Sequence, residues 1–483
     1  MIEPMNKLFY GDNLNVLREH IPDNSVDLIY LDPPFNSKAD YNILFKEPTG
    51  ESSAAQITAF EDTWHWTEET ERTFQDIIEI APAAVVEMMR AFRRFVGVND
   101  VMAYLTMMCI RLIELRRILK DTATIYLHCD PSASHYLKIL MDAIFGKKNF
   151  RNEIVWCYRG GGTPKKDFGR RHDIILRYSK SDEYNFSPDL VRIPYQAEGI
   201  DRTDDAMWGK HKGTDKVYKP NPLGKVPEDW WVMNILNAND PERLGYPTQK
   251  PQALLERIIK ASSHESDTVL DPFCGCGTSL AVAQKLKRKW IGIDITHIAI
   301  NLIKSRMRDM FDLVSKRDYK VIGEPEDLSG AIELASQNRY QFQWWALSLI
   351  DARPYGDKKK GKDTGIDGFI YFHEEKDKFG KGIVSVKSGS VSVRDIRDLG
   401  HVIDREDAAL GLLITLETPT RDMVKEAVSK GFYKNPLTGK DYPRIQILTI
   451  EQLFNKHRPN IPNIISHIKK AEAINPTSRR LNF

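Results

Sequence analysis

Short apolar runs bounded by turn residues recur along the first two thirds of the chain, the pattern of strands buried on both faces of a parallel sheet. Asp27 to Leu31 (DLIYL) is one such run, and it breaks into Asp32-Pro33-Pro34-Phe35. Proline has no N–H for a ladder, so Pro33 must lie beyond the strand's end. Two prolines also fix φ and push Asp32 towards an extended conformation, which leaves a rigid, acceptor-rich edge beside an aromatic ring. An ordinary strand-ending turn uses the same residues, and these four leave both readings open.

A second run carries more information. In DTVLDPFCGCGTSLAVAQKLKRKWIGIDIT, residues 267–296, the pattern predicts a strand over Thr268 to Leu270 and a glycine-bearing turn over Asp271 to Gly277. A helix over Thr278 to Leu286 and a strand over Trp290 to Ile293 follow, ending at Asp294. This is a β-turn-α-β unit with an acid roughly 20 residues past the turn, the layout of a nucleotide-binding crossover. Gly275 and Gly277 let backbone approach a ligand, and Asp294 is placed to accept hydrogen bonds from ribose hydroxyls. The turn reads D-P-F-x-G-x-G-T, without the third glycine of a pyrophosphate loop, and Asp271 would repel a pyrophosphate while suiting a cationic methionyl group. Electrostatics therefore favours S-adenosylmethionine over a dinucleotide.

At 483 residues the chain is long enough for two to four domains. No apolar run approaches the roughly 20 residues needed to cross a bilayer, and the first residues lack a signal-peptide core, so a cytoplasmic protein is expected. The five cysteines (Cys109, Cys129, Cys157, Cys274, Cys276) are odd in number and scattered, which argues for packing rather than a disulfide framework. Net charge is only +2, but seven Lys/Arg stand against two acids between Arg159 and Lys180, and ten against four between Lys285 and Lys320. Such stretches suit phosphate contact, and the second also suits a solvated helix face.

LDPPF, then YPTQKP at 246–251, then LDPFCGCGTS together resemble the catalytic, linking and cofactor motifs of the amino-group DNA methyltransferases. The catalytic motif precedes the cofactor motif, as in the permuted β group. LFYGDNLNVL (8–17), ATIYLHCD (123–130) and the hairpin-like segment 152–180 fit the same plan. The resemblance implies an α/β fold: a Rossmann-like methyltransferase sheet over residues 1–320, with an insert at 37–100 and a target-recognition region at 181–245. S-adenosylmethionine is the implied cofactor and DNA the implied partner, with a homodimer or a restriction-system partner as further associations.

An exocyclic amine is a poor nucleophile because its lone pair is delocalised into the ring. The resemblance gives Asp32 and the Pro33 carbonyl the task of accepting its N–H groups, with Pro34 shaping the turn and Phe35 stacking on a flipped base. It places Thr248, Gln249 and Lys250 along the methionine part of the cofactor and Asp12 near its adenine. Asp271, Phe273, Gly275, Gly277, Thr278 and Asp294 complete the cofactor set. Pro251 to Lys260 is expected to be a helix. His128 and His172 lie near these motifs without a required role. Asp at position 32 favours adenine N6 over cytosine N4 as the target.

The methyltransferase pattern ends near Val321, and residues 321–483 predict a smaller α/β unit. Gly365 to Phe372 and Gly382 to Lys387 alternate like a hairpin that puts Asp367 and Lys387 on adjacent strands. This resembles a PD-(D/E)xK restriction endonuclease-like core, with Ser385 where a metal-binding acid or glutamine is expected; Mg2+ enters only if that core is active. The readings left open for this unit are an active nuclease, a degenerate DNA-binding or specificity module, and a structural appendage; for the whole chain the rivals are a combined restriction and modification polypeptide and a DNA-recognition subunit needing a partner.

Overall fold

The computed structural model describes residues 6–34, 40–46, 52–61, 65–160, 164–195, 221–237, 239–246, 248–355, 364–375 and 378–463. The chain opens with β1 (Lys7–Tyr10), α1 (Asn13–His20) and β2 (Val26–Leu31), followed by a hairpin, β3 (Asp40–Lys46) and β4 (Ser52–Glu61). Three helices come next, α2 (Glu68–Ile80), α3 (Ala83–Val96) and α4 (Asp100–Ile118), then β5 (Leu119–Cys129) and α5 (Pro131–Phe145). β6 (Phe150–Cys157) and β7 (His172–Ser179) form the expected hairpin, and β8 is Trp230–Val232. The unit ends with α6 (Gln252–Ser262), β9 (Thr268–Asp271), α7 (Thr278–Lys285), β10 (Lys289–Asp294), α8 (His297–Phe311) and β11 (Lys320–Ile322).

These strands make one sheet in the order β11-β1-β10-β9-β2-β5-β7-β6-β8. From β11 to β5 every neighbouring pair is parallel, and β7 runs antiparallel between β5 and β6. Period-two alternation splits β2 between two cores. Ile29 and Leu31 pack with α1 to α5, while Leu28 and Tyr30 pack with α6, α7 and α8. Asp32 follows on the Tyr30 face, and its position is set by that alternation.

The insert at 37–100 is only partly an appendage. Phe74, Ile77, Val85, Met89 and Phe92 of α2 and α3 are buried in the first core, and full burial of each such side chain contributes roughly 1.5–3 kcal/mol. The region 181–245 likewise gives β8 to the edge of the main sheet, paired with β6. Helix α6 starts at Gln252, one residue later than the sequence pattern predicts. Pro251 is instead its extended N-cap (ψ 141), where a residue without an N–H leaves no helical bond unmade.

A second sheet follows α9 (Leu328–Gln337) and α10 (Arg339–Ser348). It is built from β12 (Arg353–Pro354), β13 (Gly368–Glu375), β14 (Lys378–Lys387), β15 (Leu410–Thr415) and, after a small hairpin of β16 (Phe432–Lys434) and β17 (Asp441–Pro443), β18 (Ile445–Thr449). Helices α11 (Val393–Arg405) and α12 (Arg421–Ser429) cover one face, and α9, α10 and α13 (Ile450–Phe454) the other. The β13–β14 hairpin is antiparallel and the β14–β15–β18 part parallel, a mixed α/β core. Among the described residues, no helix is long and apolar enough to cross a membrane.

Candidate active site

Ligands of open parallel sheets bind outside the carboxyl ends of the strands. Here β1, β10, β9 and β2 are consecutive and parallel, so the residues at or just past their ends, Asp12, Asp294, Asp271 and Asp32, form a row of four carboxylates along one edge. All four line a single cavity of about 260 Å³. Pro33, Pro34, Thr248, Gln249, Lys250, Phe273, Gly275 and Thr278 line it too. Of the residues expected from the sequence, Gly277 stands behind this wall, and Phe35 lies outside the described residues.

The two outer carboxylates each hold a cation. Arg111 of α4 donates to Asp12 Oδ2 at 2.7 Å and to Asn13 Oδ1 at 2.6 Å, and Asn13 in turn donates to the Pro272 carbonyl at 2.8 Å. Asp12 also caps α1 by accepting from the Leu14 N–H at 2.8 Å. At the other end, Lys250 Nζ lies 2.5 Å from Asp32 Oδ2. Lys250 thus contacts the carboxylate of the proline turn, beyond the cofactor role the sequence motif implies for it.

The two inner carboxylates have no cation: among the described residues neither Asp271 nor Asp294 is in an ion pair. Asp271 accepts from the Phe273 N–H at 3.0 Å and from the Ser279 hydroxyl. Asp294 accepts from the N–H groups of Gly275 and Thr296, each at 2.9 Å, and from the Thr296 hydroxyl at 2.8 Å. Burial pushes Asp271 up to about 7 and Asp294 up to about 6, against the pull of those hydrogen bonds. Two buried carboxylates without a cation, side by side in one cavity, fit a ligand that is itself cationic and carries hydroxyls.

The backbone explains why both turn positions are glycine. Gly275 (φ +48) lies under the Tyr246 ring, and Gly277 (φ +72) is the left-handed N-cap of α7, where a Cβ would come within 2.7 Å of Ile303 Cγ1. Thr278 is held from behind by Arg306 at 2.9 Å. Gln249 braces the loop, accepting from the Leu244 N–H at 2.8 Å and donating to the Glu242 carbonyl at 2.7 Å. Thr248 sits at φ +59, a conformation a β-branched residue adopts only when its surroundings enforce it.

Several pocket residues were given no role by the sequence: Asn13, Tyr30 and Tyr246 lie within the motif segments without being singled out, and Arg111 lies outside them all. Arg111 is one of many basic residues on a long apolar helix, and only the packing of α4 against α1 brings it to Asp12.

In the second sheet, Asp367 precedes β13 by one residue. Its carboxylate accepts from the Val386 N–H at 2.6 Å and the Ser385 hydroxyl at 3.3 Å. Lys387 Nζ lies 3.7 Å from Asp395 Oδ1 of α11. The register pairs Gly368 with Val384, which sets Asp367 against Ser385 rather than Lys387. Among the described residues, no group of three or more His, Cys, Asp or Glu side chains is arranged to hold a metal.

A Rossmann-like sheet with an acceptor-rich Asp-Pro-Pro turn beside an acidic, glycine-lined cavity defines an amino-group methyltransferase. Residues 26–305 match the family described as N6/N4 "DNA methylase", and the chain belongs to that family. Its cofactor is accordingly S-adenosylmethionine, and the inner carboxylates fit that cation. Residues 341–455 are similar to the "NACHT-associated inactive Restriction Endonuclease 1" family. The chain is 29% identical over 384 residues to a type II methyltransferase, M.BglII, of Bacillus subtilis, covering 77% of this chain and 84% of that protein. It is 28% identical over 291 residues to the DNA adenine methyltransferase YhdJ of Escherichia coli, 60% of this chain and 78% of that one. The solved PvuII cytosine-N4-specific DNA methyltransferase overlays with a TM-score of 0.39 at 14% identity, over 62% of this chain and 87% of that one.

Proposed function

We propose that this DNA methyltransferase acts on the N6 amine of adenine. The observation that supports the reading is the acid at position 32, which stands with Pro33 in one cavity with the two inner carboxylates at the ends of β9 and β10. An amine held by the Asp32 carboxylate and the Pro33 carbonyl would be aimed at a methyl donor held over Asp271, with Asp294 on its ribose hydroxyls. S-adenosylmethionine, when bound, supplies an electrophilic methyl group. The chain's own residues hold the amine, disperse the positive charge that develops on it and keep the donor oriented. A base in a duplex must leave the stack to reach this edge.

Residues 1–320 form the methyltransferase unit in this reading, with 181–245 reading the target, and 321–483 form a DNA-binding or specificity module rather than a cutting one. The engaged Asp367 supports the latter. Methylation-sensitive sequencing of DNA exposed to the protein tests the proposal: N6-methyladenine at one short motif supports it, and N4-methylcytosine replaces it. Asp32→Ala should abolish incorporation while S-adenosylmethionine still binds; turnover by that variant would overturn the assigned role.

A further inference from the structure

Behind the Asp-Pro-Pro turn, on the face of the sheet that Asp32 shares, lies a line of side chains that the reading above does not use. Tyr30 stands two residues before Asp32 on β2 and lines the same cavity. Its hydroxyl lies 2.9 Å from His128 Nδ1 on β5, the neighbouring strand. His128 is fully buried, and its Nε2 lies 3.2 Å from Asp173 Oδ2 on β7, the next strand along. Asp173 also accepts from the Tyr158 hydroxyl at 3.1 Å, and its side chain is 15% exposed. Period-two alternation puts all of these on one face: Tyr30, Tyr126, Trp156 and Ile175 share a core, and His128 and Asp173 lie two residues from Tyr126 and Ile175. The partners fix the tautomer, since ionised Asp173 only accepts: Nε2–H donates to it, and Nδ1 accepts from the phenol.

Resting on the methyltransferase reading, we propose that Tyr30, His128 and Asp173 form a proton relay that carries away the proton released by the target amine. As the N–CH3 bond forms and the S–CH3 bond breaks, sulfur becomes neutral, the positive charge passes to the amine nitrogen, and one amine proton must leave. That proton moves to the Tyr30 oxygen while the phenol's own proton moves to His128 Nδ1. The imidazolium so formed faces the Asp173 carboxylate, at the solvent end of the line. Asp32, held by Lys250, keeps its acceptor role and need not itself become the acid.

The surroundings agree. Burial, then the charges of Asp32, Asp271 and Asp173, keep the Tyr30 phenol protonated well above its ordinary range, so it takes a proton only as it gives one. Burial opposes ionisation of Asp173, but the hydrogen bond from His128, joined by the charge of Lys250 and the Tyr158 hydrogen bond, holds the carboxyl below its usual range. The groups facing the line are thus Asp32 and Asp271 from β2 and β9, Tyr158 after β6, and Lys250 before α6.

The test is the single-turnover rate of tritiated methyl incorporation into mixed phage and plasmid DNA, from pH 5.5 to 9, for wild type, Tyr30→Phe and Asp173→Asn. General base catalysis contributes typically 10²- to 10⁴-fold, so both variants should lose about 100-fold at pH 7. They should recover as pH rises and solvent takes the proton, while KM for S-adenosylmethionine stays within about twofold. A parallel downward shift of the whole profile, a raised KM with unchanged rate, or no loss in either variant would overturn the relay. An inactive wild type would instead sink the methyltransferase reading on which the relay rests.

Discussion

Lys250 Nζ and Asp32 Oδ2 are 2.5 Å apart, with side chains only 10% and 15% exposed, although 218 residues separate them. The loop before α6 thereby reaches across to the end of β2 and fixes the carboxylate of the proline turn in place. Breaking such a buried pair from one side leaves an uncompensated charge, at a cost of about 3–5 kcal/mol. Lys250→Met should lower unfolding free energy by that order, and adding Asp32→Asn to it should restore a large part. Urea denaturation of the two single variants and the double variant measures the coupling; additive losses would mean that the pair is not formed.

Cofactor affinity should depend on pH through Asp271 and Asp294. Both pKa values are raised above the ordinary carboxylate value, to about 7 and about 6, so ionising them costs folded-state stability. That part of the stability is complete below about pH 4 and is lost as pH rises through 6 to 7. A cationic ligand binds the ionised form, so S-adenosylmethionine should bind more tightly from pH 5.5 to 8, by up to about tenfold per unit for each proton released. Calorimetric titration should show proton release at pH 6.5, and Asp271→Asn should flatten the dependence.

At Gly277 a side chain is excluded twice, by φ +72 and by Ile303 at 2.7 Å from the added Cβ. Gly277→Ala should cost about 1–3 kcal/mol in backbone strain alone, and it should raise KM for S-adenosylmethionine by displacing the start of α7. Thermal unfolding and steady-state kinetics on the same preparation read the two effects together.

The C-terminal unit should not cleave DNA. Asp367 is engaged by the Val386 N–H and the Ser385 hydroxyl, and Lys387, the last residue of β14, faces Asp395. Incubation of supercoiled plasmid with Mg2+ or Mn2+ should give neither nicking nor linear product, and Lys387→Ala should be indistinguishable from wild type. Cleavage lost in Lys387→Ala would restore the restriction reading.

The sequence by itself determined the strand-ending turns and their order. Asp32-Pro33-Pro34 and Asp271-Pro272-Phe273 each follow a buried run, and proline and glycine act on their own backbone, so local chemistry was enough to locate them. It also marked the acid at 294, because the crossover has a nearly fixed length. The contacts that set charge came only from the tertiary structure. Arg111 meets Asp12 because α4 packs on α1, Lys250 meets Asp32 because the loop before α6 folds over the sheet edge, and Tyr30, His128 and Asp173 align because β2, β5 and β7 are neighbours. Alternation put Asp367 and Lys387 on adjacent strands, and only the register shows that Ser385, rather than an acid, stands opposite Asp367. An apolar alternation gives the face of each residue but not the register, and the register chooses the partner across the strands.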